Sequence, residues 1–266
     1  MIRDITIGQY YPAESWIHKL DPRVKIMSTL IFIIALFVAN RYIGYAFTII
    51  FLGTVIYLSK VPIKFMLKGL RAILVIILLT VALNIFMTPG ENVLWSYKFI
   101  TITAEGLYIA GLMALRLIFL IIGSSILTLT TSPIQLTDGI EKLLNPFKKI
   151  GIPAHEIAMM MTIALRFIPI LLEETDKIMK AQMARGADFE SGGVIKRAKS
   201  LIPLLVPLFI SAFRRADELA MAMEARCYRG GENRTRMKQL VIQKQDYIAI
   251  GVISLFMIIM ILIRFI

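Results

Sequence analysis

The sequence predicts an all-α membrane protein with five transmembrane helices and a large charged insertion before the last of them. Of its 266 residues, 58% are hydrophobic, and the mean hydropathy is +0.74, whereas soluble domains average about 45–50% apolar residues. Apolar runs of spanning length recur along the chain. In the stretch 131–245, by contrast, charged residues interrupt the helical periodicity every few positions.

Five apolar runs mark the spans and divide the chain into regions. A membrane domain, 1–130, precedes the coupling-helix insertion. The predicted spans lie at about 24–39, 43–59, 72–88, 106–130 and 246–266. The first two are near the lower end of the roughly 17–25 residues that a spanning helix needs. Because only Asn40-Arg41-Tyr42 separates them, we expect a tight hairpin across the bilayer.

The distribution of positive charge predicts the orientation of the chain. The N-terminal segment, the loop at 60–71 and the insertion are basic, whereas the loops at 40–42 and 88–105 carry few Lys or Arg. Cytoplasmic loops of membrane proteins carry the excess of basic residues. We therefore expect a cytoplasmic N-terminus and insertion, and an extracellular C-terminus. The net charge of +12 is attributed to these loops and to an acidic protein partner, so no nucleic acid binding is expected.

The insertion is predicted to contain three helices. The first, at about 133–144, begins with Thr131-Ser132 as its N-terminal cap and Pro133 in its first turn. The second would run from about 153 to 185 and the third from about 201 to 228. Both long helices have apolar first halves and charged second halves. We expect them to lie along the membrane and then to leave it.

Two stretches near the ends of these long helices repeat one pattern. Residues 176–186 and 217–227 align without a gap, sharing an initial Asp, an Ala five positions later, and Ala-Arg at positions eight and nine after the Asp. The candidate docking residues are therefore Ala184, Arg185 and Gly186 in the first copy and Ala225, Arg226 and Cys227 in the second. Their arginines lie about 41 positions apart (226 minus 185).

An arginine near a helix C-terminus is favoured by the helix dipole by about 0.3–1 kcal/mol, but this does not explain a gapless repeat. A guanidinium can also bind a carboxylate through two parallel hydrogen bonds. We therefore interpret Arg185 and Arg226 as two docking elements for acidic grooves. The small residues beside them would allow close approach of the backbones.

Two further groups of residues are candidates for function. The run Met159-Met160-Met161 is either an adaptable surface for a variable partner or gap-filling in a core, because methionine serves both purposes. Arg116 lies in the middle of a predicted span, where a charge is costly and indicates a function. We expect an internal polar contact for it, with Asn84 as the candidate partner.

The sequence lacks the motifs of a catalyst. It contains no Gly-x-x-x-x-Gly-Lys-Ser/Thr phosphate loop, no Gly-x-Ser-x-Gly and no His-Glu-x-x-His. The two histidines, His18 and His155, are isolated and lack the spacing of metal ligands. We therefore expect a non-catalytic chain that binds no metal and no cofactor of its own.

The paired motifs resemble those of EcfT, the transmembrane T component of energy-coupling factor transporters, of the shared-module type (group II). Similar signatures occur at Leu20-Asp21-Pro22-Arg23, Thr131-Ser132-Pro133 and Met183-Ala184-Arg185-Gly186-Ala187-Asp188, so the resemblance covers essentially the whole chain. One position departs from the family pattern, because Cys227 stands where the second motif has Gly or Ser. This leaves the role of Arg226 intact.

The resemblance implies a scaffold in a bacterial cell membrane. It would join two ATP-binding-cassette (ABC) ATPases, of the EcfA and EcfA′ type, to an exchangeable membrane-embedded S component that captures vitamins or metal ions. If the three methionines form an adaptable surface, Met159, Met160 and Met161 would contact that S component. Its two long coupling helices would cross, and ATP with Mg²⁺ would be bound by the ATPases. A conventional ABC importer permease is the alternative, but two arginine-bearing helices in one chain argue against it. A membrane-integral enzyme would need clustered acids or a nucleophile–base pair, which the sequence lacks.

Overall fold

The computed structural model describes residues 10–90, 92–97, 100–189, 193, 195, 199–231 and 239–265, without the side chains at 72, 94–97 and 100–101. Its helices are α1 (Pro22–Val38), α2 (Tyr42–Ser59), α3 (Ile63–Met87), α4 (Ala104–Thr130), α5 (Pro133–Leu144), α6 (Ala154–Ala184), α7 (Ile202–Ala225) and α8 (Lys244–Phe265). A short 3₁₀ helix, Asn145–Ile150, follows α5. The prediction of an all-α membrane protein is confirmed.

One small element differs from the loop that the sequence predicts at 88–105, between α3 and α4. Strands β1 (Val93–Tyr97) and β2 (Ile100–Thr103) form an antiparallel hairpin, with Tyr97 opposite Ile100. Their β-branched and aromatic residues favour strands. Thr103 ties the hairpin to its neighbours, because its hydroxyl donates to the Thr88 carbonyl at the end of α3 (3.1 Å) and accepts from the Gly106 amide at the start of α4 (3.1 Å).

The chain forms two compact units. The membrane unit comprises Gly8–Gly139 and Lys238–Ile266, and the paired-helix unit comprises Ile140–Met237. The core of the membrane unit is aromatic and aliphatic, with Phe32 and Leu36 of α1, Phe119 of α4 and Phe256 of α8 all buried. The rings of Phe51 and Phe256 stack at 4.3 Å between centroids.

Hydrogen bonds fix the relative directions of the helices in the membrane unit. The ammonium of Lys25, near the start of α1, donates to the carbonyl of Thr130 at the end of α4 (2.9 Å). The amide of Asp21, just before α1, donates to the carboxylate of Asp246 near the start of α8 (2.8 Å). Thus α4 runs antiparallel to α1, whereas α8 runs parallel to it. The end of α8 therefore lies opposite the start of α1.

Length and composition identify α2, α4, α6 and α8 as helices that could cross a membrane. Helix α3 adds a fifth if its arms Ile63–Arg71 and Ile73–Met87, which meet at a 59° bend, form one span. Helix α1, with 17 residues, is at the lower limit for spanning. The sequence predicts α1 as a span and α6 as a coupling helix. Helix α6 also qualifies by composition because its charged residues are concentrated in its second half.

Candidate functional site

Helices α6 and α7 pack side by side in opposite directions within the paired-helix unit. Hydrogen bonds join them at three levels along their length: Gln182 to the Pro203 carbonyl (3.4 Å), Arg215 to Glu174 (3.0 Å) and His155 to Tyr228 just beyond α7 (3.1 Å). Because early residues of α6 meet late residues of α7, the C-termini of the two helices lie at opposite ends of the pair. With 31 residues in α6, these ends are about 45 Å apart.

The first predicted motif forms the C-terminal cap of α6. Arg185 is the cap residue, and Gly186 follows it in the left-handed conformation with φ +88°. The Gly186 amide donates to the Met183 carbonyl (3.0 Å), and the Ala187 amide donates to the Gln182 carbonyl (3.0 Å). This pair of hydrogen bonds defines a Schellman motif, which satisfies the last carbonyls of the helix.

The second predicted motif forms the same cap on α7. Arg226 is the cap residue, and Cys227 follows it with φ +54°. The Cys227 amide donates to the Glu224 carbonyl (2.8 Å), and the Tyr228 amide donates to the Met223 carbonyl (3.0 Å). A residue with a side chain pays roughly 1 kcal/mol for this left-handed conformation, which glycine adopts freely. The two arginines are thus held by equivalent backbone geometry.

The cap conformation gives a physical reason for the glycine after Arg185. The sequence interpretation assigned that position to close approach of backbones. Within the described part of this chain, a Cβ atom on Gly186 would meet no atom within 4 Å. The positive φ angle, rather than crowding from its own chain, accounts for glycine here. Close approach to a partner stays a prediction.

Both motifs are open to a partner. Residues 184–186 and 225–227 are all exposed. Among the residues that the structure describes, neither the Arg185 nor the Arg226 guanidinium has an ion pair or a side-chain hydrogen bond. Each helix therefore ends in an exposed cation that needs no rearrangement of its own chain before binding a carboxylate.

The Arg226 end has a histidine clamp, which we define as His155 with Glu141 and Tyr228. The Nδ1 atom of His155 is 3.1 Å from the Glu141 carboxylate, and its Nε2 atom is 3.1 Å from the Tyr228 hydroxyl. A Cβ atom on Gly231 would come within 2.5 Å of the imidazole ring, so the backbone lies directly against it. The clamp joins the start of α6 to the segment that follows Arg226.

Sequence reasoning missed this clamp and treated His155 as isolated. Its partners are 14 and 73 positions away, and no local pattern links them. The contact between Tyr228 and His155 could be predicted only if the antiparallel pairing of α6 and α7 were known. At the same end, a cavity of about 370 Å³ is lined by Met159, Met223 and residues 226–230.

The structure separates the three consecutive methionines, for which the sequence left open an adaptable surface or gap-filling in a core. Met159 is partly buried and lines the cavity beside Arg226, whereas Met160 is 60% and Met161 is 36% exposed. Met160 and Met161 are therefore available for a partner, and Met159 belongs to the Arg226 end. Contact with an S component stays a prediction for these residues.

Arg116 makes an internal polar contact, but Asn84 is not its partner. Its guanidinium donates to the Tyr45 hydroxyl (3.1 Å) and to the Ala39 carbonyl (3.0 Å), while Asn84 donates to Thr80 in its own helix (2.8 Å). The last carbonyls of a helix lack intrahelical donors and form its negative end. Because α1 is shorter than α4, its terminal carbonyl is level with the middle of α4, where Arg116 lies.

The regions that match known proteins include both arginine ends. The family model described as "Cobalt transport protein" (CbiQ) matches residues 13–237. Three relatives are named energy-coupling factor transporter transmembrane protein EcfT. The protein from Clostridium kluyveri is 64% identical over 250 residues, which cover 94% of this chain and 93% of the relative. That from Thermosediminibacter oceani is 62% identical (95% and 96% covered), and that from Bacillus subtilis is 50% identical (92% and 93% covered).

Proposed function

This chain belongs to the EcfT family of energy-coupling factor transporter transmembrane proteins, and on that premise we propose that it is the scaffold that links two ABC ATPases to an exchangeable S component. It is a transport subunit of a membrane complex rather than an enzyme. The S component would capture a vitamin or a metal ion, so that this chain serves several substrates without selecting among them.

The observation that carries the proposal is the pair of exposed arginine caps at opposite ends of the α6–α7 pair. Equivalent Schellman motifs present two cations that lie far apart. This arrangement suits binding to two acidic grooves, one on each ATPase, better than binding to a single extended surface. A rigid guanidinium fork matches the geometry of a carboxylate. The two ends differ in their flanking residues, which favours two different ATPases, of the EcfA and EcfA′ type.

In this proposal the α6–α7 pair transmits motion. ATP and Mg²⁺ are bound and used by the ATPases, whose movements act on the two arginine ends. Near the middle of the pair, Glu174 of α6 accepts hydrogen bonds from both Ser211 and Arg215 of α7. This contact couples the helices, so a displacement at one end is shared by both. A conventional importer permease gives no reason for two equivalent arginine caps in one chain.

The proposed orientation places the start of α1 and the paired-helix unit on the cytoplasmic side. It rests on the excess of Lys and Arg in those regions. Since the end of α8 lies opposite the start of α1 within the membrane unit, the C-terminal end of α8 would be extracellular.

Co-purification of the complex tests the proposal. The double variant Arg185→Glu/Arg226→Glu should lose both ATPases, because each reversed charge would face an acidic groove. Arg214→Glu, which reverses another exposed arginine on α7, is the matched control and should retain both. Amounts of ATPase that are unchanged in the double variant would overturn the docking proposal.

A further inference from the structure

The membrane unit contains a large apolar cavity that the proposed scaffold function does not use. It has a volume of about 720 Å³ and lies among α1, α2, α4, α8 and the segment before α1. Its walls are mostly aliphatic and aromatic, with Phe32, Phe51 and Ile253 among the lining residues, whereas Trp16 and Lys25 line it near the start of α1. From this arrangement we infer a binding site for one membrane phospholipid, with an acyl chain in the cavity and an oxygen of the headgroup region near Lys25.

The cavity has the depth of one leaflet. Its lining residues come from 25–32 of α1, 123–130 of α4 and 248–253 of α8, which lie toward the same end of the membrane unit, and from 47–58 of α2. The stretch of α2 corresponds to about 16 Å of helix. Half of the hydrocarbon core of a bilayer is about 15 Å thick. An acyl chain of the leaflet at this end therefore matches the cavity in length.

The chemistry of the walls also selects a hydrocarbon chain. Water in a cavity needs two to four polar partners, and over most of their depth these walls offer apolar side chains. Several lining residues, such as Ile50 and Val252, are also exposed at the surface of the helices. The cavity is therefore open to the medium around the spans, which at that depth is lipid.

Lys25 supplies a polar anchor at the end of the cavity. It is only 6% exposed, and its ammonium donates to the carbonyls of His18 (3.0 Å) and Thr130 (2.9 Å). An ammonium has three donors, and in the part of the chain that the structure describes these two carbonyls are its acceptors. An ester or phosphate oxygen can accept the third. Trp16 lies at this level, which suits the preference of tryptophan for the membrane interface.

The carboxylates near Lys25 are engaged elsewhere. Asp21 accepts from the guanidinium of Arg23 (2.8 Å), and Asp246 accepts from the amides of Asp21 (2.8 Å) and Gln243 (2.7 Å). Burial raises the pKa of Asp21, but the hydrogen bonds and charge of Arg23, with a smaller contribution from the charge of Lys25, outweigh it and hold the pKa below its usual range. Among the described residues neither carboxylate is hydrogen-bonded to Lys25, so the third donor of its ammonium is available to a lipid oxygen.

Tryptophan fluorescence tests the site in the purified full chain. The sequence has two tryptophans, so Trp95→Phe leaves Trp16 as the only reporter. Phosphatidylcholine with brominated acyl chains, which quench tryptophan on contact, is titrated into the protein in detergent. We expect quenching that saturates near one lipid per chain. Lys25→Met should raise the half-saturating lipid concentration about tenfold, because it removes a hydrogen bond to a charged group.

Two variants make the experiment specific. Tyr57→Trp in a Trp16→Phe/Trp95→Phe background moves the reporter to a lipid-facing position of α2, 83% exposed and outside the cavity lining, where quenching should rise without saturation. Ala249→Phe fills the cavity and should abolish the saturable component. Non-saturating quenching at Trp16, or saturable quenching that Ala249→Phe leaves unchanged, would overturn the proposal. Loss of the saturable component in the assembled transporter would instead assign the cavity to a partner helix.

Discussion

The two arginine ends have the same backbone conformation but differ in the residues that surround them. Both arginines are cap residues of a Schellman motif, with equivalent hydrogen bonds behind them. The first end uses Gly186, where an added Cβ atom would meet no atom of the described residues within 4 Å, whereas the second uses Cys227 and is held by the histidine clamp. The common feature is therefore the presentation of the guanidinium. The differences indicate that the ends are not interchangeable, as two different partners would require.

Among the changes that test this comparison, single charge reversals should have the largest effect, which is on the binding of the ATPases. Removing a buried charged anchor from an interface costs about 2–5 kcal/mol, and reversing it costs at least as much. We expect Arg185→Glu to remove one ATPase and Arg226→Glu to remove the other. Quantitative mass spectrometry of the purified complexes measures both. Loss of the same ATPase from both variants would show that the ends do not have separate partners.

Opening the histidine clamp should have an intermediate effect that is confined to one end. His155→Ala removes hydrogen bonds to two partners, each worth about 0.5–1.5 kcal/mol, and leaves the segment after Arg226 less restrained. Amide hydrogen exchange should therefore accelerate at 226–231 and remain unchanged at 185–189.

Gln182→Ala is the matched control for the clamp, because it removes an exposed contact between the same helices at the other end. It should leave exchange at 226–231 unchanged. Equal acceleration at both ends in His155→Ala would mean that the clamp stabilises the whole helix pair rather than the Arg226 end.

Substituting the residue after each arginine should have the smallest effect, which is on the free energy of unfolding, and the two substitutions should have opposite signs. Gly186→Ala places a side chain at φ +88°, whereas Cys227→Gly relieves one at φ +54°. Each change should alter the free energy of unfolding by about 1 kcal/mol, the first downward and the second upward. Thermal unfolding in detergent measures both. Gly251→Ala, at a helical position with open space around it, controls for the added methyl group and should not destabilise.

The elements that sequence reasoning predicts well are those set by local chemistry or by the bilayer. The apolar runs locate α2, α4 and α8 because a span must match the hydrocarbon thickness. The gapless repeat locates both helix ends because a C-terminal cap leaves a signature within a few residues.

The features that sequence reasoning misses depend on contacts between distant residues. Tyr45 as the partner of Arg116, and Tyr228 as the partner of His155, follow only from which helices are neighbours. The β1–β2 hairpin is short, and Thr103 connects it to the end of α3 and the start of α4. Composition alone does not distinguish α6 from a membrane span, because the first half of α6 is as apolar as a span requires.

The central claim is that both arginine ends are covered by ATPases, and the single cysteine of the sequence provides a direct probe. Cys227 is exposed beside Arg226, so its alkylation rate by a maleimide reports on that end. Gly186→Cys/Cys227→Gly moves the probe to the equivalent cap position beside Arg185. We predict that the ATPases slow alkylation strongly at both positions compared with the chain purified alone. An unchanged rate at either position in the assembled complex would contradict the account.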